Sequence, residues 1–143
     1  SLNDSFSKTF FVATNGSLIE SEVFLPELEN AGRSRPALQG QPEYTFNMVL
    51  GFDDIDNDQQ ITMLINQNGE TIVDRGRSGR SDVILQPRLD VQLNYQWFFK
   101  DNWQLGLKLQ NLLDDEVLFT EDGRIFQEFN TGVRFTASLN WNF

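Results

Sequence analysis

"VRFTASLNWNF", residues 133–143, alternates to its last residue: Val133, Phe135, Ala137, Leu139, Trp141 and Phe143 fall on one side, and Arg134, Thr136, Ser138, Asn140 and Asn142 on the other. A period of two belongs to a strand, where successive side chains point to opposite faces. In a water-soluble sheet such a face lies on a core. A strand that carries it as far as Phe143 has another use for it, and lipid can stand in for the core.

The same alternation recurs upstream. Tyr44, Phe46, Met48, Leu50 and Phe52 oppose Thr45, Asn47, Val49 and Gly51; Leu89, Val91, Leu93, Tyr95 and Trp97 oppose Asp90, Gln92, Asn94 and Gln96. Trp103, Leu105, Leu107 and Leu109 repeat it against Gln104, Gly106, Lys108 and Gln110, and Ile61, Met63 and Ile65 mark a further strand whose polar face Leu64 interrupts. Residues 7–24 read as a long, less regular strand, since Phe10 and Phe11 cannot share a side. Connections alternate in length: long at 25–41, short and acidic at 53–58, long at 74–86, short at 100–102 and long at 114–128. No window keeps a period of 3.6. The expected fold is all-β: an antiparallel up-and-down meander of about six strands over residues 1–143.

Composition narrows the function. The net charge is −10, so a nucleic-acid partner, which needs a basic surface, is not expected. With no Cys and no His, thiol nucleophiles, disulfides, thiolate or imidazole metal sites and histidine triads are excluded. Convergent reactive groups of other kinds are not evident, so the chain is not expected to be an enzyme, and no cofactor is implied. No run approaches the roughly 20 apolar residues of a membrane-spanning helix. A mean hydropathy of −0.40 is nonetheless compatible with a transmembrane barrel, whose apolar residues are diluted one for one by polar ones. Thirteen Phe, three Trp and two Tyr are more aromatics than a small acidic soluble domain needs. Residues 1–10 lack the basic start and apolar centre of a signal peptide, so the chain is expected to be either cytosolic or a piece of a longer precursor.

Loop length adds a direction. Bacterial outer-membrane barrels carry short periplasmic turns, long outer loops, an apolar band and aromatic girdles. Here Phe52 flanks one short turn and Trp97, Phe98 and Trp103 the other, with Trp141 and Phe143 expected at the same level.

Five stretches make a family resemblance specific: "LQGQPEYTFN" (38–47), "INQNGETI" (65–72), "PRLDVQLNY" (87–95), "LKLQNLLDDE" (107–116) and the terminal aromatic strand. In order and spacing they resemble the C-terminal end of TonB-dependent receptors, outer-membrane transporters whose barrel, of the 22-stranded type, encloses a plug. The resemblance implies the last strands of a large transmembrane β-barrel in the bacterial outer membrane, taking part in active uptake of a scarce solute of the siderophore, cobalamin or glycan class. It implies as partners the lipid bilayer and the outer-membrane assembly machinery, with TonB and the plug reached only through an N-terminal part that has no counterpart here. It also implies an assembly signal in Val133, Phe135, Leu139, Trp141 and Phe143, and a lipid-facing surface containing Phe46, Met48, Leu50, Val91, Leu93, Leu105 and Leu107. A small passive porin-like barrel and a soluble carbohydrate-binding β-sandwich are the alternatives.

Local motifs read more plainly. Asp54, Asp56 and Asp58 open like a calcium loop, but Gln59 stands where such a loop has glycine and Ile65 where it has a bidentate acid, which favours an acidic solvated turn. "DRGRSGR" (74–80) suits an anion or a lipopolysaccharide phosphate but reads first as a solvated outer loop. The same holds for Asp114, Asp115, Glu116, Glu121 and Asp122 as metal ligands, and Asn15-Gly16-Ser17 carries no glycosylation reading in a bacterial protein. Gly40 and Pro42 return a long loop into a strand.

Overall fold

The computed structural model describes residues 8–21, 38–76, 80–99 and 102–141. The fold is all-β, with antiparallel sheets and no α-helix among these residues. Six long strands form one sheet: β1 (Lys8–Leu18), β2 (Tyr44–Asp54), β3 (Gln59–Asn68), β6 (Arg88–Phe99), β7 (Trp103–Gln110) and β10 (Arg134–Trp141). They lie in that order, which is the expected meander, and the sheet is open, with β1 and β10 as its edges.

Four shorter strands, β4 (Thr71–Asp74), β5 (Val83–Leu85), β8 (Val117–Glu121) and β9 (Arg124–Phe129), form a second sheet in the order β4-β5-β8-β9. Because β4 continues β3, β5 leads into β6, β8 continues β7 and β9 leads into β10, the second sheet repeats the neighbour order of the first beyond its outer end. Two segments expected as long loops, 74–86 and 114–128, therefore hold strands. Their pairings are short and bulged, at Ile72/Asp74 and at Phe119/Thr120, so no sustained alternation marks them. The expected strand over 7–24 is seen as β1, with residues 7 and 22–24 outside the described residues.

The breaks after β7 and before β10 are level in register, as Gln110 pairs with Arg134, and the side chains of Asn111 and Asp115 fasten them to the start of β6. Asn111 follows β7 with φ 53 and is only 4% exposed. Its Nδ2 donates to Thr131 Oγ1 and to the Gly132 carbonyl, both at 3.2 Å, and its Oδ1 accepts from the Asp115 amide at 3.1 Å. Asp115 in turn accepts the Leu89 amide at 3.0 Å. The β7–β8, β9–β10 and β5–β6 joints are thus tied together, and a buried carboxamide meets its hydrogen-bonding demand.

At the other end the β2–β3 connection is tight. Asp54 caps the 3₁₀ turn Ile55–Asn57, its carboxylate accepting the Asn57 amide at 3.3 Å and Asn57 Nδ2 at 2.9 Å, with Lys8 Nζ 3.7 Å away. Asp58 closes the turn at φ 52. This carboxylate, which opened the calcium-like motif, is spent on the turn.

Candidate functional site

Register assigns every strand residue of the large sheet to a face, because residues directly opposite in an antiparallel pair share one. Phe46 stands opposite Gln67, Met48 opposite Ile65 and Leu50 opposite Met63; Ile65 faces Val91 and Met63 faces Leu93. Leu93 is opposite Leu109, Tyr95 opposite Leu107 and Trp97 opposite Leu105. Leu109, Leu107, Leu105 and Trp103 then meet Phe135, Ala137, Leu139 and Trp141. The seven residues expected as lipid-facing, Phe46, Met48, Leu50, Val91, Leu93, Leu105 and Leu107, therefore lie on one continuous face with Phe135, Leu139 and Trp141 of the terminal strand. Val133 directly precedes β10, and Phe143 lies outside the described residues.

The opposite face is polar. It carries Asn47, Gln92, Asn94, Lys108, Arg134 and Ser138 among others, and Phe11 lies on it while Phe10 joins the apolar side.

Nothing among the described residues packs over the apolar face. Among the described residues, Val83 of the outer sheet is the one buried hydrophobic side chain, at 9% exposure, and no side chain falls below 2%. Phe10, Phe135, Leu139 and Trp141, all on the two edge strands, are 56–78% exposed, while Met48, Leu50, Val91, Leu93, Leu105 and Leu107 on the inner strands are half-buried.

Aromatic rings collect at the inner end of this face, near the short turns. Phe10 and Phe52 stand 4.5 Å apart, Trp97 and Phe99 4.9 Å, Phe99 and Trp103 6.4 Å, and Trp103 and Trp141 6.0 Å.

The inner end of the apolar stretch shifts across the sheet. Phe10 is level in register with Phe52, Ile61, Tyr95, Leu107 and Ala137; on β1, β2 and β3 the stretch ends there, whereas on β6, β7 and β10 it runs four residues further, to Phe99, Trp103 and Trp141. At the outer end Phe135 is level with Val12, beyond which this face of β1 carries Thr14 and Gly16 before Leu18. The Tyr44–Phe52 and Leu89–Phe99 stretches are about 27 and 34 Å long along their strands.

Other expected positions fall apart. Asp114, Asp115, Glu116, Glu121 and Asp122 are spread along the β7–β8 joint and the β8–β9 hairpin, and among the described residues no group of three or more acidic side chains is placed to hold a metal ion. Glu116 and Glu128 do meet. Their hydrogen bond and mutual repulsion, with lesser contributions from Asp114 and Asp115, hold the Glu116 carboxyl above its ordinary pKa. Arg80 pairs with Glu121 at 3.5 Å, beside an open cavity of about 400 Å³ that Arg124, Ile125 and Phe126 also line. Asn111 was not singled out by itself in the sequence, although it sits in the "QNLLDD" stretch and asparagine is a residue that tolerates the left-handed conformation.

No helix among the described residues is long and apolar enough to cross a membrane. Compared with protein-family models, with curated proteins and with solved structures, the chain matches none.

Proposed function

We propose that this chain is the C-terminal part of an outer-membrane TonB-dependent receptor barrel, its apolar face turned to lipid and its polar face to the lumen. The observation that carries the reading is the apolar face. It extends over all six strands, is covered by nothing among the described residues, and is edged by aromatic rings at its inner end, as the lipid-facing band of a membrane barrel is. Tryptophan at one edge fits the membrane–water interface, where an amphipathic ring meets both media.

A sandwich would bury the inner faces of two sheets against each other, about 10 Å apart. Here the second sheet extends the first end to end and a single hydrophobic side chain is buried among the described residues, which speaks against it. The open edges at β1 and β10 are a liability in water, and further barrel strands are the natural cover for them.

In this reading the segment supplies barrel wall and outer structure to an active transporter; gating and energy coupling belong to other parts of the receptor. The test has two arms. The coding sequence upstream of Ser1 is expected to specify a plug preceded by a signal peptide. The full-length protein is expected in the outer-membrane fraction, with a gel mobility that changes on boiling. A soluble, cooperatively unfolding monomer of the full-length protein would overturn the reading.

A further inference from the structure

The polar face of the large sheet is chemically unlike the rest of the chain. It carries eleven carboxamides against two carboxylates, Asp53 and Asp90, and three cations, Arg88, Lys108 and Arg134. The chain as a whole has a net charge of −10, whereas this face is near neutrality.

Within it, register builds an apolar strip framed by amides. Ala13, Val49 and Leu64 stand in one row, with Gln92 at its end. The row on the outer side is Asn15, Asn47 and Asn66, and the row on the inner side runs from Phe11 over Gly51 and Thr62 to Asn94. Phe11 lies flat against the sheet because Gly51, opposite it, has no side chain; a Cβ there would run into the ring. Its other surface is open, the residue being 39% exposed. Asn47 Nδ2 donates to Asn15 Oδ1 at 2.8 Å, which orients both groups and leaves Asn15 Nδ2 and Asn47 Oδ1 without a partner among the described residues. Asn66 and Asn94 are half-buried and make no side-chain hydrogen bond among the described residues.

From this arrangement we infer that the Phe11–Leu64 strip and its amide frame form a subsite for a neutral oligosaccharide. A pyranose ring has an apolar C–H surface and a rim of hydroxyls, each both donor and acceptor. The strip matches the first. The carboxamides match the second, since each presents a donor and an acceptor. Rows two residues apart along a strand lie about 7 Å from each other, so the three rows cover about 14 Å, enough for more than one sugar ring. An anionic solute is disfavoured: anion recognition wants clustered guanidinium or ammonium groups, and the frame is bordered by one charge of each sign, Asp90 opposite Asn66 and Lys108 opposite Asn94.

The inference rests on the reading of this face as the inside of a transport barrel, and its test keeps the two apart. The full-length receptor, purified in detergent, is checked for the boiling-dependent mobility shift and then titrated calorimetrically with maltohexaose, cellohexaose and xylohexaose, and with hexagalacturonic acid as the anionic counterpart. At least one neutral hexasaccharide is expected to bind and the acid is not. Asn47→Leu/Asn66→Leu is expected to weaken that binding about tenfold or more with the mobility shift intact, the loss of two hydrogen-bonding groups in the patch. Gln104→Leu, on the same face but near the Trp103 end, is expected to leave binding unchanged. A folded receptor that binds none of the three neutral sugars, that binds hexagalacturonic acid as well as them, or whose double variant binds like the parent overturns the sugar subsite while the barrel reading stands. In the last case, a lowered unfolding temperature of the double variant would assign the face to a protein domain of the receptor. Absence of the mobility shift overturns both.

Discussion

Trp103 and Trp141 stand directly opposite each other on β7 and β10, their rings stacked with centroids 6.0 Å apart. With Phe99 against Trp103 they close an aromatic row at the inner end of the apolar face, level with the short β6–β7 connection. Among the described residues the pair marks the inner limit of that face on the terminal strand.

Facing is the first consequence to test. Leu107 is opposite Tyr95 and Ala137 on the apolar side, and Lys108 is opposite Asn94 and Thr136 on the polar side. An arginine at the lipid midplane costs about 2–4 kcal/mol. Leu107→Arg is therefore expected to lower the heat-modifiable fraction in the outer membrane sharply, and Lys108→Leu to change it little. Equal damage from the two substitutions would reassign the faces.

The terminal strand carries a second prediction. β10 is an exposed edge whose apolar side chains, Phe135, Leu139 and Trp141, are all more than half exposed. Strand addition reads backbone hydrogen bonds together with alternate side chains. In the full-length receptor, Trp141→Asp or deletion of Phe143 is expected to reduce folded protein in the outer membrane without reducing synthesis, as followed by pulse labelling and fractionation. Unchanged folded levels would make these ordinary surface aromatics.

Removing the Asn111 clasp is expected to loosen the outer sheet from the inner one. Asn111→Ala loses three side-chain hydrogen bonds and forces a residue with a Cβ but no polar group into φ 53. A cost of about 1–3 kcal/mol follows from leaving buried groups without partners. Hydrogen exchange should report it first at the amides of Asp115 and Leu89, which the network holds. Asn111→Gly keeps the backbone conformation and is expected to be less damaging than Asn111→Ala.

Acid should tighten the β8–β9 hairpin. Glu116 holds its proton more firmly in the folded chain than in the unfolded one, chiefly through its hydrogen bond to Glu128 and their repulsion when both are charged. The stabilisation this confers is complete below the ordinary glutamate range and disappears as the pH rises through the elevated value. Proteolysis within 116–128 is expected to slow as the pH falls through that window. In Glu116→Gln the slow rate should persist to neutral pH, and a pH dependence surviving in this variant would place the titration elsewhere.

What the sequence determined by itself is the part of the structure written in alternation. Tyr44–Phe52, Leu89–Trp97 and Trp103–Leu109 each declare a strand and its two faces, because whether a side chain points up or down depends only on its parity along the chain. The β2–β3 and β6–β7 pairings followed from the short turns at 53–58 and 100–102, and the other three from continuing the meander across the long connections. The shift of the apolar face's inner end across the sheet was not legible, since it depends on which residue of one strand stands opposite which residue of the next, and that is set by contacts between segments far apart in sequence. The outer sheet was hidden for a related reason: Val83–Leu85 spans three residues, too few to show a period, and becomes a strand only because β4 and β8 pair with it on either side. Asn111 is the sharpest case. Nothing in its own type marks it as buried. Its burial arises where β7 and β10 break at the same level and bring Thr131 and Gly132 within reach of its carboxamide.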